Sequence, residues 1–500
     1  MTLQASLELD PSSVIAPVNP RTFGSFVEHM GRCVYTGISE PGHSTADEDG
    51  LRADVLELVR EMGVTIVRYP GGNFVSGYRW EDGVGPVEGR PVRLDPAWKT
   101  MEPNSFGLEE FTRWADKVGV ETMLALNLGT RGVQEALDLL EYCNHPSGTL
   151  LSDLRRSHGR EQPYGIRTWC LGNEMDGPWQ LGHKTADEYG RLAAETARAM
   201  RMVDPDVELV VCGSSGASMP TFGDWEERVL EHTYEQVDLI SAHAYYEQED
   251  SDLESFMASA VDMDRFIRTV ASIADRVAAR KKSPKRIDIS FDEWNVWYMS
   301  RMDPTAEWGQ APRLAEDAYN VADAVVVGSL LMTLLRNNDR VAVACQAQLV
   351  NAISAIRTEP GGPAWRQSIF HPFSLTARHA KGEVLSALPT GPSYESLRYG
   401  EVPVVDAMST HDPETGGLNI FSVNRSAHDP VHLSVDLRAF PGYQPAEHLV
   451  LADDDRRATN TQLDPHRVEP REAPLAFGQG RAGIVLPPIS WSLLRLVHSL

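Results

Sequence analysis

From Phe23 onward the chain alternates strand-sized apolar runs with segments of helical period, eight times in succession, and this alternation limits the possible folds more than any other feature. The strands are expected at 23–28, 64–69, 121–127, 168–173, 207–213, 237–243, 287–292 and 341–347. Between them, sets such as Leu51, Val55, Leu58, Val59 and Met62, or Tyr189, Leu192, Ala193, Thr196, Met200 and Val203, follow the i, i+3, i+4, i+7 spacing of amphipathic helices. Alternating strand and helix units imply a parallel sheet. Eight units, with no Gly-rich phosphate turn near the start, fit a closed (β/α)8 TIM barrel better than an open doubly wound sheet.

In such a barrel the catalytic face is formed by the C-terminal ends of the strands. Polar residues gather at those ends: Glu28, Arg68 with Asn73, Asn127, Asn173 with Glu174, Ser214, His243 with Tyr245, Glu293, and Gln348. A random scatter would not favour strand ends over strand starts. Past residue 384 the helical period gives way to short alternating runs, as in Val431, Leu433, Val435 and Leu437, separated by Pro-, Gly- and Asp-rich turns. That pattern is expected of a jelly-roll-like β-sandwich. Residues 2–10 alternate strictly, with Leu3, Ala5, Leu7 and Leu9 on one face, and are expected to join the sandwich because chain termini often lie close together. The division read from the sequence is 1–17, an N-terminal strand of the sandwich; 18–384, the barrel; and 385–500, the sandwich.

A net charge of −25 repels phosphate backbones and anionic surfaces, so a neutral small-molecule substrate is expected rather than nucleic acid or a membrane. The first residues lack the basic and apolar regions of a secretory leader, which leads to the expectation of a cytoplasmic protein. Cysteines 33, 143, 170, 212 and 345 are scattered and never CxxC spaced, so neither a disulfide framework nor a zinc ribbon is expected. The longest apolar run, Val321 to Leu335, contains Asp323 and Ser329 and is shorter than the ~20 residues of a membrane span, so it reads as a buried helix. The basic stretch Arg280–Arg286 reads as a solvated helix end and loop.

Two glutamates, Glu174 and Glu293, each close an apolar run and stand among Asn and Trp residues. Glycosidic cleavage needs this pair, one carboxylic acid to protonate the leaving oxygen and one carboxylate to face the anomeric carbon. Strands four and seven lie on opposite arcs of the barrel, so the two side chains can converge; two structural ion pairs are the competing reading. Their separation, about 5–5.5 Å for retention or about 6.5–9.5 Å for inversion, is not legible from sequence. Arg68 can hold Glu293 ionised and orient Glu28, and Gly71 and Gly72 can bring the backbone before Asn73 close to a ligand. Tyr245 can donate to the nucleophile, and Trp98 and Trp297 can stack on sugar faces. His29 and His243 lack HExxH or tight His/Asp spacing, so no metal is expected; both read as satisfied or substrate-facing histidines, with His243 placed among the substrate-binding residues.

The segments 26–38 (FVEHMGRCVYTGI), 67–74 (VRYPGGNF), 171–179 (LGNEMDGPW), 290–298 (SFDEWNVWY) and 347–351 (AQLVN) resemble those of glycoside hydrolase family 51, the intracellular α-L-arabinofuranosidases, and the resemblance runs essentially end to end. It implies a retaining mechanism with Glu174 as acid/base and Glu293 as nucleophile. It also implies Glu28, Arg68, Asn73, Asn173, Tyr245 and Gln348 around the furanose, no cofactor, and commonly a homohexamer. The expected activity is exo-acting release of terminal arabinofuranose from arabino-oligosaccharides. An endo-glucanase or xylosidase is the alternative, and a non-catalytic sugar-binding protein ranks lower because both glutamates are present. Linkage preference (1,2, 1,3 or 1,5) stays open, and the loop from Met299 to Ala315 is expected to shape the leaving-group side.

Overall fold

The computed structural model describes residues 2–249, 252–302 and 307–498. Residues 303–306, inside the loop expected to shape the leaving-group side, lie outside the described residues. Eight strands form a closed barrel in chain order: β1 (Gly24–Phe26), β2 (Ile66–Tyr69), β3 (Glu121–Ala125), β4 (Thr168–Leu171), β5 (Glu208–Val211), β6 (Leu239–Tyr246), β7 (Asp288–Val296) and β8 (Val341–Ala347). All neighbours are parallel, and the pair Ala347 with Phe26 closes the ring.

The period of two decides what faces where. Ile66, Met123, Ala125, Val343 and Cys345 fill the interior, while the alternate residues Val67, Leu124 and Ala344 join the apolar layer under the helices. Helix ends are marked by the chemistry that terminates helices: Gly63 and Gly119 cap Ala53–Met62 and Leu108–Val118 with left-handed φ of 81° and 87°. Thr185 and Glu188 form a capping box at the start of Ala186–Val203. All five cysteines are buried and free. Arg280 and Arg286 are solvated and paired with Glu227 and Asp288.

Two strands run past their expected ends. β6 and β7 were expected to stop at 243 and 292, but they stay paired through His243 with Glu293 and on to Tyr246 with Val296. Glu293 therefore stands inside a strand rather than at its tip. The polar side chains that read as strand ends are paired to each other across the rim, which the pattern of one strand alone does not reveal.

Two sheets share one core beyond the barrel. One has the order Leu3–Glu8, Val431–Asp436, Arg481–Leu486, Leu475–Gly478. The other has the order Val14–Pro17, Glu383–Leu385, Val405–Asp412, Gly417–Asn424, Ser490–His498, Tyr443–Leu451, Arg471–Glu472. The first strand pairs parallel to Val431–Asp436, which puts Ala5, Leu7 and Leu9 into this core.

The helix Val321–Arg336 is buried from Val321 to Leu335 because it lies between barrel and sandwich. Trp491 of the sandwich packs directly on it at Gly328, where a Cβ would come within 2.4 Å of the indole. At its end Arg336, joined by Arg425, donates to buried Asp406 on the sandwich. Burial opposes ionisation of Asp406, yet the two guanidiniums hold it down to about 2. Because the folded value is depressed, this pairing contributes stability above the ordinary value of 3.8 and loses it as pH falls toward 2. Asp406→Asn, which strands two cations, should lower unfolding free energy at pH 6 by about 3–5 kcal/mol. The gap from the parent protein in urea titrations should narrow below pH 4, and a gap independent of pH would contradict this account.

Candidate active site

The two glutamates reach the barrel mouth by different backbone devices. After β4 the chain turns sharply: Gly172 has φ of 100° and Glu174 itself 42°, a left-handed conformation that a non-glycine residue adopts only at a cost of order 1 kcal/mol. The turn is closed by the Gly177 N–H donating to the Glu174 carbonyl at 2.9 Å. In β7 the register slips: Ser241 faces Ser290, but His243 faces Glu293, so β7 carries one extra residue. Such a bulge re-aims side chains. It lets Asp292 and Glu293, neighbours that strict alternation would send to opposite faces, both reach Arg68 and His243.

Arg68 Nη1 donates to Glu293 Oε1 at 2.6 Å and Nη2 to Asn173 Oδ1 at 2.7 Å. Tyr245 donates to Glu293 Oε2 at 2.8 Å and lies edge-on to Trp297. His243 bridges two carboxylates, Nδ1 to Glu174 Oε1 and Nε2 to Asp292 Oδ1, each at 2.9 Å. Burial works to lower the His243 ring, but Glu293, Asp292 and Glu174 outweigh it and push it up to about 10, so it is an imidazolium that donates from both nitrogens. Burial opposes ionisation of Asp292 as well, yet Arg68 and His243 hold it below its ordinary value. Burial raises Glu293, and Glu174 adds to the rise, while His243, Arg68 and the Tyr245 hydroxyl pull it back.

On the opposite wall, Glu28 Oε1 accepts from the Phe74 N–H at 2.9 Å and Trp98 Nε1 at 2.8 Å, and Oε2 accepts from Gln348 Nε2 at 3.1 Å. Burial pushes Glu28 up to about 8, with the charge of Glu293 acting the same way. One expectation is corrected here. Arg68 orients Glu293 and Asn173, whereas Glu28 is oriented by Phe74, Trp98 and Gln348. The backbone at Gly71 and Gly72 closes on Glu28 as well, since a Cβ there would come within 2.6 and 2.8 Å of that side chain, and Gly72 also lines the pocket.

These walls form a pocket lined by Glu28, Gly72, Asn73, Trp98, Glu174, Tyr245, Glu293, Trp297 and Gln348, together with Met30 and Ile353. Asn173 stands behind Asn73, donating to its Oδ1 at 3.4 Å. Asn127 and Ser214 do not line it: Asn127 closes its own turn through the N–H groups of Gly129 and Thr130, and the Ser214 N–H is bound by Glu226. His29 is tied to Glu102 and Tyr69 away from the cavity. Sequence reasoning missed Asp292, hidden by the bulge, and Trp179, whose indole N–H donates to Glu174 Oε2 at 2.8 Å. The Trp in the 171–179 segment was the available signal for the latter.

Ligand-capable atoms of Glu174, His243 and Glu293 lie within 4.8 Å of one another. Both imidazole nitrogens are engaged by carboxylates, Nδ1 by Glu174 and Nε2 by Asp292. The same distance brings an oxygen of Glu174 within 4.8 Å of one of Glu293. So near an approach of single oxygens fits the close class of carboxylate pair better than the wide class that admits a water between them.

A barrel with two converging carboxylates in a pocket at its C-terminal face defines a glycoside hydrolase. Residues 58–277 match the alpha-L-arabinofuranosidase 1 domain and residues 292–490 the alpha-L-arabinofuranosidase C-terminal domain. An intracellular exo-α-(1→5)-L-arabinofuranosidase of Streptomyces lividans is 58% identical over 98% of this chain and 75% of its own length. An exo-α-(1→6)-L-arabinofuranosidase of Bifidobacterium longum is 53% identical over 99% and 97%. The solved structure of a family 51 α-L-arabinofuranosidase from Bifidobacterium longum superposes with a TM-score of 0.96 at 47% identity, covering 100% of both chains. The chain belongs to glycoside hydrolase family 51.

The charge state of His243 can be read directly. Its ring nitrogens should remain protonated through pH 8 in nitrogen NMR spectra, and Asp292→Asn, removing an anionic partner, should move the titration to lower pH. A neutral ring at pH 7 in the parent protein would contradict the assignment.

Proposed function

We propose that the protein is a retaining, exo-acting α-L-arabinofuranosidase, with Glu293 as nucleophile and Glu174 as general acid and base. The observation that carries this reading is the approach of one oxygen of each carboxyl to within 4.8 Å of the other while each group is held by different partners. Both Glu293 oxygens accept from groups that stabilise an anion, Arg68 and Tyr245, as a nucleophile requires. Glu174 lies beside half-exposed Trp179, on the side open to a leaving group. In the first step a Glu293 oxygen bonds the anomeric carbon as the glycosidic bond breaks, and the Glu174 proton goes to the departing oxygen. In the second, water gives a proton to Glu174 and its oxygen to the anomeric carbon, and the bond to Glu293 breaks.

Glu28, Asn73, Tyr245 and Gln348 line the pocket and hold the furanose in this reading, Arg68, Asn173 and His243 orient the lining groups Glu293, Asn73 and Glu174 from behind, and Trp98 and Trp297 wall it in. The Streptomyces and Bifidobacterium relatives, both named exo-acting arabinofuranosidases, support exo action and disfavour an endo-glucanase. Both relatives act, by their names, on links to position 5 or 6 of the next sugar. Position 6 of a hexose and position 5 of an arabinofuranose are primary alcohols, so we propose a preference for primary over secondary leaving groups. An intracellular location follows the naming of the Streptomyces relative, and a homohexamer is the assembly the family resemblance implies. We further propose that residues 18–384 carry the catalytic function and that 1–17 with 385–500 support it.

Proton NMR of the first-formed arabinose should show the α-anomer from an α-linked substrate, and early β-anomer would overturn double displacement. Azide should rescue Glu174→Ala with net retention and give the inverted azide with Glu293→Ala; exchange of those outcomes would exchange the two roles.

A further inference from the structure

The proton inventory around Glu174 leaves one position for the proton it transfers. Oε1 accepts from the His243 imidazolium, so the acidic proton belongs on Oε2. Oε2 has two lone pairs, and the indole N–H of Trp179, a donor only, points at it from 2.8 Å. The indole is seated for this contact by Gly177: a Cβ there would come within 2.6 Å of the Trp179 ring and 2.9 Å of its nitrogen. The rest of the turn is anchored elsewhere, Asp176 by the Ser215 N–H and Gln180 by Ser76. Trp179 is nonetheless 53% exposed, so its ring is held by the Glu174 contact and by Gly177 rather than by burial in the core.

We propose that Trp179 is a positioning residue for proton transfer. By occupying one lone pair of Glu174 Oε2, its N–H restricts the acidic proton to the other and fixes the carboxyl plane toward the glycosidic oxygen. The same N–H holds the carboxylate in place after the leaving group departs, when Oε2 accepts a proton from water. The contact therefore matters in proportion to how much the leaving group needs a proton. This inference rests on the acid/base role proposed above for Glu174.

The test compares Trp179→Phe, which keeps an aromatic ring but has no N–H, with Gly177→Ala, which keeps the indole but displaces it. Each is assayed on α-1,5-linked arabinobiose, whose alkoxide leaving group needs a proton, and on 2,4-dinitrophenyl α-L-arabinofuranoside, whose leaving group does not. Both variants should lose roughly 10- to 100-fold in kcat/KM on the disaccharide, the scale of one hydrogen bond to a charged group, mostly through kcat. On the aryl substrate the loss in kcat/KM should be under about threefold. Equal losses on both substrates, or a rise in KM alone on the disaccharide, would overturn the inference. Glu174→Ala is the control. If it shows the split between substrates and Trp179→Phe does not, the inference about Trp179 fails alone. If Glu174→Ala shows no split, the acid/base assignment fails first. Melting temperatures of both variants near the parent value exclude misfolding as the cause.

Discussion

Arg68 and His243 place two cations among the buried carboxylates of Glu293, Asp292 and Glu174, and the barrel mouth depends on that compensation. A buried ion costs several kcal/mol unless it is paired and hydrogen-bonded. Each group here answers that cost with a specific partner: Arg68 reaches Glu293 and Asn173, and His243 spans Glu174 and Asp292. Asp292 touches no furanose in this reading. Its charge keeps His243 protonated, and the protonated ring fixes which oxygen of Glu174 is free to work.

The cluster can exist because the barrel supplies rigid positions from four separate strands. Arg68 comes from β2, Glu174 from the turn after β4, His243 from β6 and Glu293 from β7. Below them the interior is packed with Ile66, Met123, Cys170, Val210 and Val343, so the strands cannot drift relative to one another. Two departures from regular backbone, the left-handed Glu174 and the bulge in β7, aim the acids. Local strain of that kind persists where the surroundings over-determine it, as active sites commonly show.

The sandwich acts at a distance from this chemistry. It covers the apolar helix Val321–Arg336, which would otherwise expose one face, and pins it through Trp491 and the Asp406 ion pairs. That helix follows β7, the strand that carries Glu293 and ends just before Trp297, and Asp323 at its start accepts from Tyr298 at 2.7 Å. Support from the sandwich is thus passed to the end of the strand that holds Glu293.

The eightfold strand and helix alternation, the sandwich with its distant first strand, and the convergence of Glu174 and Glu293 at the barrel mouth could be read from the sequence, because periodicity of 3.6 or 2 and the residue types at strand ends are local properties. The same holds for Tyr245 beside Glu293 and for Trp98 and Trp297 as walls. What the tertiary structure decided depends on distances between segments far apart in the chain. The bulge that turns Asp292 inward arises from pairing between β6 and β7, the glycines 71 and 72 face Glu28 only after β1 and β2 meet, and Trp179 finds Glu174 only through a turn with left-handed backbone. The carboxylate separation, which selects retention or inversion, is set by strands on opposite arcs of the barrel. No local pattern encodes such a distance, because it is fixed by the packing of the whole ring.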